Sequence, residues 1–498
     1  MSIFQIKSVD EIMAESHERG HKLPRVLGSF DVTMIGIGAI IGAGIFAMLG
    51  EAATKGGAGP SLIISIILTA IACGFAALCY AELAAMVPIS GSAYTYAYAT
   101  MGELAAWIIG WDLILEYAIG NVAVAISWSG YFNDFLKSVF GFGVPLWLRL
   151  DYHTFLKSGA DIASVPHIFG VPIVCNLLAA TVVGLLTWLL VYGIKESTRF
   201  NSVMVGIKLL VLATFVVVGI YYFDPKNWVP FAPGGWKGIQ VGAAYIFFAY
   251  IGFDAVSTVA EETRDPQKNM PIGIIGSLII CTFIYVLVTV ALTGMMPFTE
   301  LKDKIAEPLV AGLQYNHAAS WLVGLVSLGA VVATTAVLLV FQMGQPRIFF
   351  SMSRDGLLPP YFAKVHPKHH TPHVTTIWTG IFVAGFASFF SLDTMAELCN
   401  IGTLFAFVVV CVGVIILRVK DPARPRPFRA PGGYVTPVLG IFFCLFLMLG
   451  LGFMTWMRFL IWLAVGLVIY FFYGYENSRL RTGKLALKAD AAGPGENN

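Results

Sequence analysis

The chain has 498 residues, 57% of them hydrophobic and only 12% charged, about half the charge of a soluble domain. That balance excludes a water-soluble globular protein, and a net charge of +2 excludes the basic stripe that nucleic-acid binding requires. Apolar runs of about 20 residues recur along it, each able to cross about 30 Å of hydrocarbon as a helix, so the composition reads as an all-α polytopic membrane protein.

Residues 1–30 are charged and mixed, unlike the short basic region and apolar core of a cleaved signal. They read as a segment that is kept. Twelve helices follow, predicted at 31–54, 60–86, 101–133, 171–193, 199–223, 238–261, 272–296, 321–353, 374–391, 395–417, 433–453 and 456–475. Twelve spans put both termini on one side. Placing them inside leaves about 21 Lys and Arg in the cytoplasm against about 9 outside, the positive-inside asymmetry of a correctly counted topology. The connection 134–170 is the longest outside the membrane and reads as a loop whose Trp147, Tyr152 and Phe155 can rest in the interface. The cytoplasmic tail 476–498 is too polar and Gly/Ala-rich from Lys484 onward to build a core. All seven cysteines fall in predicted apolar stretches, so no disulfide framework, zinc site or disulfide-linked subunit is expected.

Against these apolar helices the glycines of the first span stand out: Gly36, Gly38, Gly42 and Gly44. Gly38 and Gly42 make the Gly-x-x-x-Gly spacing of close helix packing. The other reading is a broken helix, whose freed N–H groups would face a carboxylate and whose freed carbonyls would face a cation. The sixth span offers a second candidate in Phe247–Asp254, where Gly252 and an acid sit mid-membrane. Interruptions five spans apart match two inverted repeats, 31–223 and 238–417, with 433–475 added as two peripheral helices. The pairing favours broken helices over simple packing.

These stretches carry a resemblance. Gly38–Phe46, the Pro88-to-Tyr94 run, Gly193–Ser197, Phe247–Asp254 with Glu261–Pro266, and Arg347–Pro359 together resemble the amino acid–polyamine–organocation superfamily, and within it the bacterial cationic amino acid transporters. The resemblance covers about Leu27 to Tyr475. It implies a fold of ten core helices in two five-helix inverted repeats, discontinuous at helices 1 and 6, around a central amino-acid site in the cell membrane. Carried to this chain, it implies that a substrate carboxylate meets the N–H groups of Gly42, Ala43 and Gly44, and its ammonium the carbonyls of Ile40, Phe248, Ala249 and Ile251. Physics agrees, because a zwitterion entering a low-dielectric site needs partners at both ends.

Buried charge is the remaining signal. Asp112 and Glu116 share a face of the third helix, with Glu116 some 22 Å into the span by helical rise. An acid at that depth is costly; it is either a structural acid bonded to its neighbours or a group that meets the substrate side chain. The resemblance favours Glu116 over Asp112 for the second role. Lys208 is the one Lys or Arg within the fifth span. Two and a half turns in, it either snorkels to the interface or stays buried with a proton that can be lost near neutral pH. The resemblance implies that such an amine replaces the sodium of metal-coupled relatives, making Lys208 the proton-coupling group. Asp254, Glu82 and Glu261 stay unassigned, and the basic cluster Arg418–Arg429 reads as topology signal and contact with anionic lipid.

No cofactor is called for, and His-Glu-x-x-His, Gly-x-Ser-x-Gly and phosphate-loop motifs are missing, which argues against an enzyme or a primary pump. The reading is a secondary transporter of L-amino acids, cationic or small neutral, driven by protons. An exchanger, a polyamine transporter and a transporter-like sensor remain open.

Overall fold

The computed structural model describes residues 3–10, 25–88, 92–192, 198–303, 307–369 and 371–482. Expectations placed on residues 11–24, on Ser90 and Gly91, on Gly193–Ser197 and on the tail beyond residue 482 lie outside the described residues, as does the side chain of Glu261.

Nine helical stretches among the described residues are long and apolar enough to cross a membrane: α1 (Ser29–Gly57), α2 (Gly59–Met86), α3 (Glu103–Phe140), α5 (Asn201–Tyr221), α6 (Gly235–Ser257), α7 (Pro266–Met295), α8 (Ser320–Arg354), α10 (Leu392–Lys420) and α12 (Phe453–Asn477). Three shorter apolar helices, α4 (Leu177–Val191), α9 (His373–Phe389) and α11 (Val435–Leu449), complete the chain order. Each of these stretches overlaps a helix expected from the sequence, with the differences at the ends. The third helix runs two turns beyond residue 133, because amphipathic Asp134–Lys137 continues the helix until Gly141 adopts a left-handed φ of +76° and stops it. The fourth begins at Leu177 rather than 171, where Asn176 caps the N–H of Ala179 at 3.0 Å.

The connection expected to be a loop is more ordered than that. It carries a short helix, Tyr152–Lys157, capped by Asp151, and a two-residue hairpin, His167–Ile168 with Val171–Pro172. Phe155, Val165 and Val174 form a small core of their own beneath Trp147 and Leu150. Cys175 sits at the end of this connection, half-buried, and not inside a helix as patterning placed it; all seven cysteines are free. A further short helix, Ser92–Thr100, precedes α3 and was not anticipated.

The packing pairs helices five apart in order. α2 lies against α7, α3 against α8 and α4 against α9, and the broken centres of α1 and α6 touch. The core contains Trp107, Tyr80, Tyr250, Tyr285 and the whole of Lys208, all fully buried, while isoleucine, leucine, valine and phenylalanine dominate the outer faces of α5, α7, α11 and α12, as a lipid solvent demands.

Candidate functional site

Both predicted interruptions are present. Regular helix in α1 ends at Ile40; Ile41 is extended (φ −76°, ψ 96°), and the chain re-enters helix as a wide π turn, Gly44–Met48. In α6 the helix Gly235–Ile246 tightens to a 3-10 turn, Phe247–Tyr250, opens at Ile251 (φ −62°, ψ 134°) and resumes as a second 3-10 segment, Asp254–Glu262. The breaks are pressed together. A Cβ on Gly44 would lie 2.1 Å from the Cα of Ala249, so only glycine lets the two backbones meet there. Gly252 has φ +120°, and a Cβ would lie 2.8 Å from the carbonyl oxygen of Ala39; it is glycine for both reasons.

A break leaves orphan backbone groups, and buried ones must find partners. Three side chains supply them. Lys208 Nζ donates to the carbonyls of Gly38 (2.9 Å) and Ile41 (3.1 Å), at the negative end of the first half of α1. Its side chain is fully buried, which rules out snorkelling. The hydroxyl of Tyr285 on α7 lies 3.0 Å from the carbonyl of Ile40 and 2.8 Å from that of Ala249, its single proton shared between the two breaks. A carboxyl oxygen of Asp254 accepts from the N–H of Gly252 at 3.2 Å, at the positive end of the second half of α6.

The residues expected to hold a substrate, Ile40, Gly42, Ala43, Gly44, Phe248, Ala249 and Ile251, are all buried and all lie at these breaks. Glu116 is brought to the α6 side, with Asp254 and Thr403 as its polar neighbours. It rides on a π turn, Leu115–Ile119, in the middle of α3, a distortion of the kind that marks functional helices. Asp112, one turn earlier on α3, is the third acid of this grouping. It is buried beside Gly402 with neither carboxylate oxygen hydrogen-bonded among the described residues.

Sequence reasoning missed Tyr285 and left Asp254 unassigned. Nothing in an apolar helix singles out one tyrosine. Asp254, two residues after the glycine of a break, carried a readable signal, since an acid there can cap the N–H groups that the break frees.

Ion pairs close both ends of the site. On the side where α1 ends, Lys55 Nζ reaches Asp393 (2.9 Å), Glu51 (3.5 Å) and Glu397 (3.7 Å), and Tyr245 of α6 and Thr455 of α12 both bond Glu397. On the opposite face Lys7 meets Asp355 at 3.3 Å in a buried pair, and Tyr94 donates to the other oxygen at 2.7 Å. Glu82 is buried and bonded to Arg418 and to the N–H of Ala430, with Arg426 at 3.5 Å. Two members of the basic cluster therefore turn inward onto an acid, where the sequence suggested lipid contact for all of them.

Known proteins place this geometry. The amino acid permease family profile matches residues 27–472. The chain is 48% identical to the branched-chain amino acid permease BcaP of Bacillus subtilis over 96% of its length and 99% of that protein. It is 45% identical to a methylthioribose transporter of the same organism, with the same coverage. It is 38% identical to the vacuolar cationic amino acid transporter 2 of Arabidopsis thaliana, over 86% of this chain and 65% of that one. The profile spans both broken helices, and the relatives it draws together are permeases and transporters rather than enzymes. The chain belongs to the amino acid permease family of the amino acid–polyamine–organocation superfamily and is a multi-pass protein of the cell membrane.

Proposed function

We propose that the chain imports L-amino acids by proton-coupled symport, binding the substrate's carboxylate and ammonium on the backbone of the two breaks and exposing them to each side in turn. One observation carries the reading: Lys208, fully buried, holds its amine on two carbonyls of the broken α1. Those carbonyls form a cation site, and an amine that can lose its proton makes its occupation depend on proton supply. Protonated, Lys208 fixes the first half of α1; deprotonated, it loses its charge and one of its three N–H donors, and the weakened hold releases that half toward the inner gate. Twelve spans in a five-plus-five inverted repeat, with both termini cytoplasmic, are supported by the pairing of α1 with α6, α2 with α7, α3 with α8 and α4 with α9 and by the Lys and Arg asymmetry.

Substrate choice turns on the side-chain end. Glu116 and Asp254 are neighbouring buried acids, and two adjacent carboxylates cannot both stay charged in a low dielectric. One shared negative charge serves a cationic side chain, and the fully protonated pair serves a neutral one. Binding of the twenty amino acids to purified protein ranks these, and counterflow in liposomes separates a carrier from a sensor. A second reading comes from the relative named for methylthioribose, a compound with neither carboxylate nor amine. If methylthioribose displaces an amino acid from purified protein, or decarboxylated amines bind as well as their parent amino acids, the backbone site is not a zwitterion site.

The coupling test uses sodium-free proteoliposomes with an inward proton gradient, where the wild type should accumulate substrate. Accumulation that needs sodium, or that ignores the gradient, overturns the proton reading.

A further inference from the structure

A groove of about 630 Å³ lies on the outside of the bundle, between the first four turns of α7 and the loop that joins α10 to α11. Its long wall is one face of α7, with Lys268, Ile272, Ile275 and Ile279 spaced three or four residues apart and Gly276 opening the floor; Pro427 and Phe428 of the loop form the opposite wall. Ile272 and Ile279 are 46% and 63% exposed, so this wall needs an apolar neighbour that the described residues do not supply. From Lys268 to Ile279 the face runs about 16 Å by helical rise, roughly one leaflet of the hydrocarbon.

The groove is polar at one end only. Gln267 and Lys268 stand exposed at the start of α7, where the helix dipole is positive. The loop adds Lys420, Arg424, Arg426 and Arg429 against the single acid Asp421. Arg424 is spent on Asp10 and Asp421. Arg426 donates to the carbonyls of Leu417 and Asp421. Lys420 and Arg429 remain exposed, Arg429 directly after the Phe428 wall. An occupant must therefore be anionic at the membrane face and hydrocarbon below it.

We propose that this groove binds an anionic phospholipid, one acyl chain along the isoleucine face and the phosphodiester headgroup on Lys268 and Arg429. The fit matches the physics of basic clusters at the inner leaflet, where each Lys or Arg near the surface contributes about 1 kcal/mol toward anionic lipid. The walls belong to different parts of the machine. The loop is pinned to α2 through the contacts of Arg426 and the Ala430 N–H with Glu82. α7 carries Tyr285 between the two breaks and packs on α1, where a Cβ on Gly273 would lie 2.3 Å from Val32 and one on Gly36 2.5 Å from Ser277. A bound lipid joins a fixed loop to the helix that holds the broken centre, and its headgroup sets how firmly.

The test needs no transport, so it stands apart from the proposed function. Purified full-length protein in mild non-ionic detergent is offered equal phosphatidylglycerol and phosphatidylcholine of identical acyl chains, and retained lipid is counted by native mass spectrometry. The wild type should keep phosphatidylglycerol over phosphatidylcholine by about fivefold for each basic contact. Lys268→Gln should lower that preference about fivefold. Gly276→Leu, whose new Cβ meets only the Thr33 side chain at 3.7 Å, should lose one retained lipid of either kind. Phe428→Ala, in the loop and outside any helix, does the same by opening the wall, and covers the case in which the glycine variant fails to fold. Equal retention of the two lipids by the wild type, or a preference unchanged in Lys268→Gln, overturns the proposal. Lipid counts unchanged in Gly276→Leu and Phe428→Ala overturn it as well, placing the lipid elsewhere on the bundle.

Discussion

The two broken helices answer the same problem with opposite charges. At α1 the break exposes carbonyls at a helix C-terminus, and a cation, Lys208, covers them. At α6 the break exposes an N–H at a helix N-terminus, and an acidic side chain, Asp254, covers it. Each side chain sits where the helix dipole favours its charged form, and Tyr285 joins the carbonyl sides of both. The difference lies in what titrates. A carboxyl group that caps an N–H can be replaced by any acceptor of similar shape, whereas an amine on two carbonyls gives up its charge and one of its three N–H donors when it loses a proton. Coupling is therefore expected at the first break and mainly positioning at the second.

The largest effect should come from forcing the breaks apart. Gly44→Ala puts a methyl group 2.1 Å from the backbone of Ala249, and overpacking against backbone should cost about 3 kcal/mol or more, read as a lowered melting temperature together with lost binding. A variant that melts and binds like the wild type would mean that the two breaks do not depend on this contact. Next come the two caps. Lys208→Ala should reduce accumulation to the passive level while some binding survives, whereas Asp254→Asn, which keeps an acceptor for the Gly252 N–H, should slow uptake by no more than about tenfold, the upper range of one ordinary hydrogen bond. Initial rates at two external pH values compare them directly, and equal loss of pH response in both variants would erase the distinction between coupling and positioning.

Tyr285→Phe sharpens the comparison from the middle. The hydroxyl occupies the carbonyls of Ile40 and Ala249 that a substrate ammonium would use, so its removal should tighten substrate binding by about fivefold, one hydrogen bond's net worth, and slow turnover. Calorimetric titration reports the first; weaker binding would make the tyrosine a support for the substrate and not its competitor. The smallest effect belongs to the outer cluster. Lys55 is about a third exposed, and Lys55→Met should cost roughly 1 kcal/mol at low ionic strength, less as salt screens the pair. Thermal melts of both proteins across a salt series should converge.

Much of this was legible in the chain. Continuous apolar runs placed the long helices, because backbone in lipid has few alternatives, and the spacing of glycine clusters five helices apart located both breaks. What escaped was whatever depends on a distant partner. The π turn at Leu115–Ile119 has no glycine or proline inside it to announce it. Tyr285 is one tyrosine among many, made special only by where α7 lies. Glu82, Arg418 and Arg426 are separated by more than three hundred residues on one side of the pair, so the basic loop looked like a lipid-facing patch until the fold turned two of its arginines inward. Chain ends and connections were the weakest part, as at Asn176, where one side-chain cap moved the start of α4.

The double contact of Tyr285 bears also on the half of the cycle in which nothing is carried. An unloaded cavity lined with bare carbonyls would resist losing its water, and a carrier built that way waits for cargo before it can turn round. If the substrate ammonium binds at Ile40 and Ala249 as proposed, the tyrosine stands in for the cargo there and the empty protein is already satisfied. A proton-driven importer, as proposed for this chain, has to return without a passenger. That is the requirement for filling a cell rather than trading one amino acid for another.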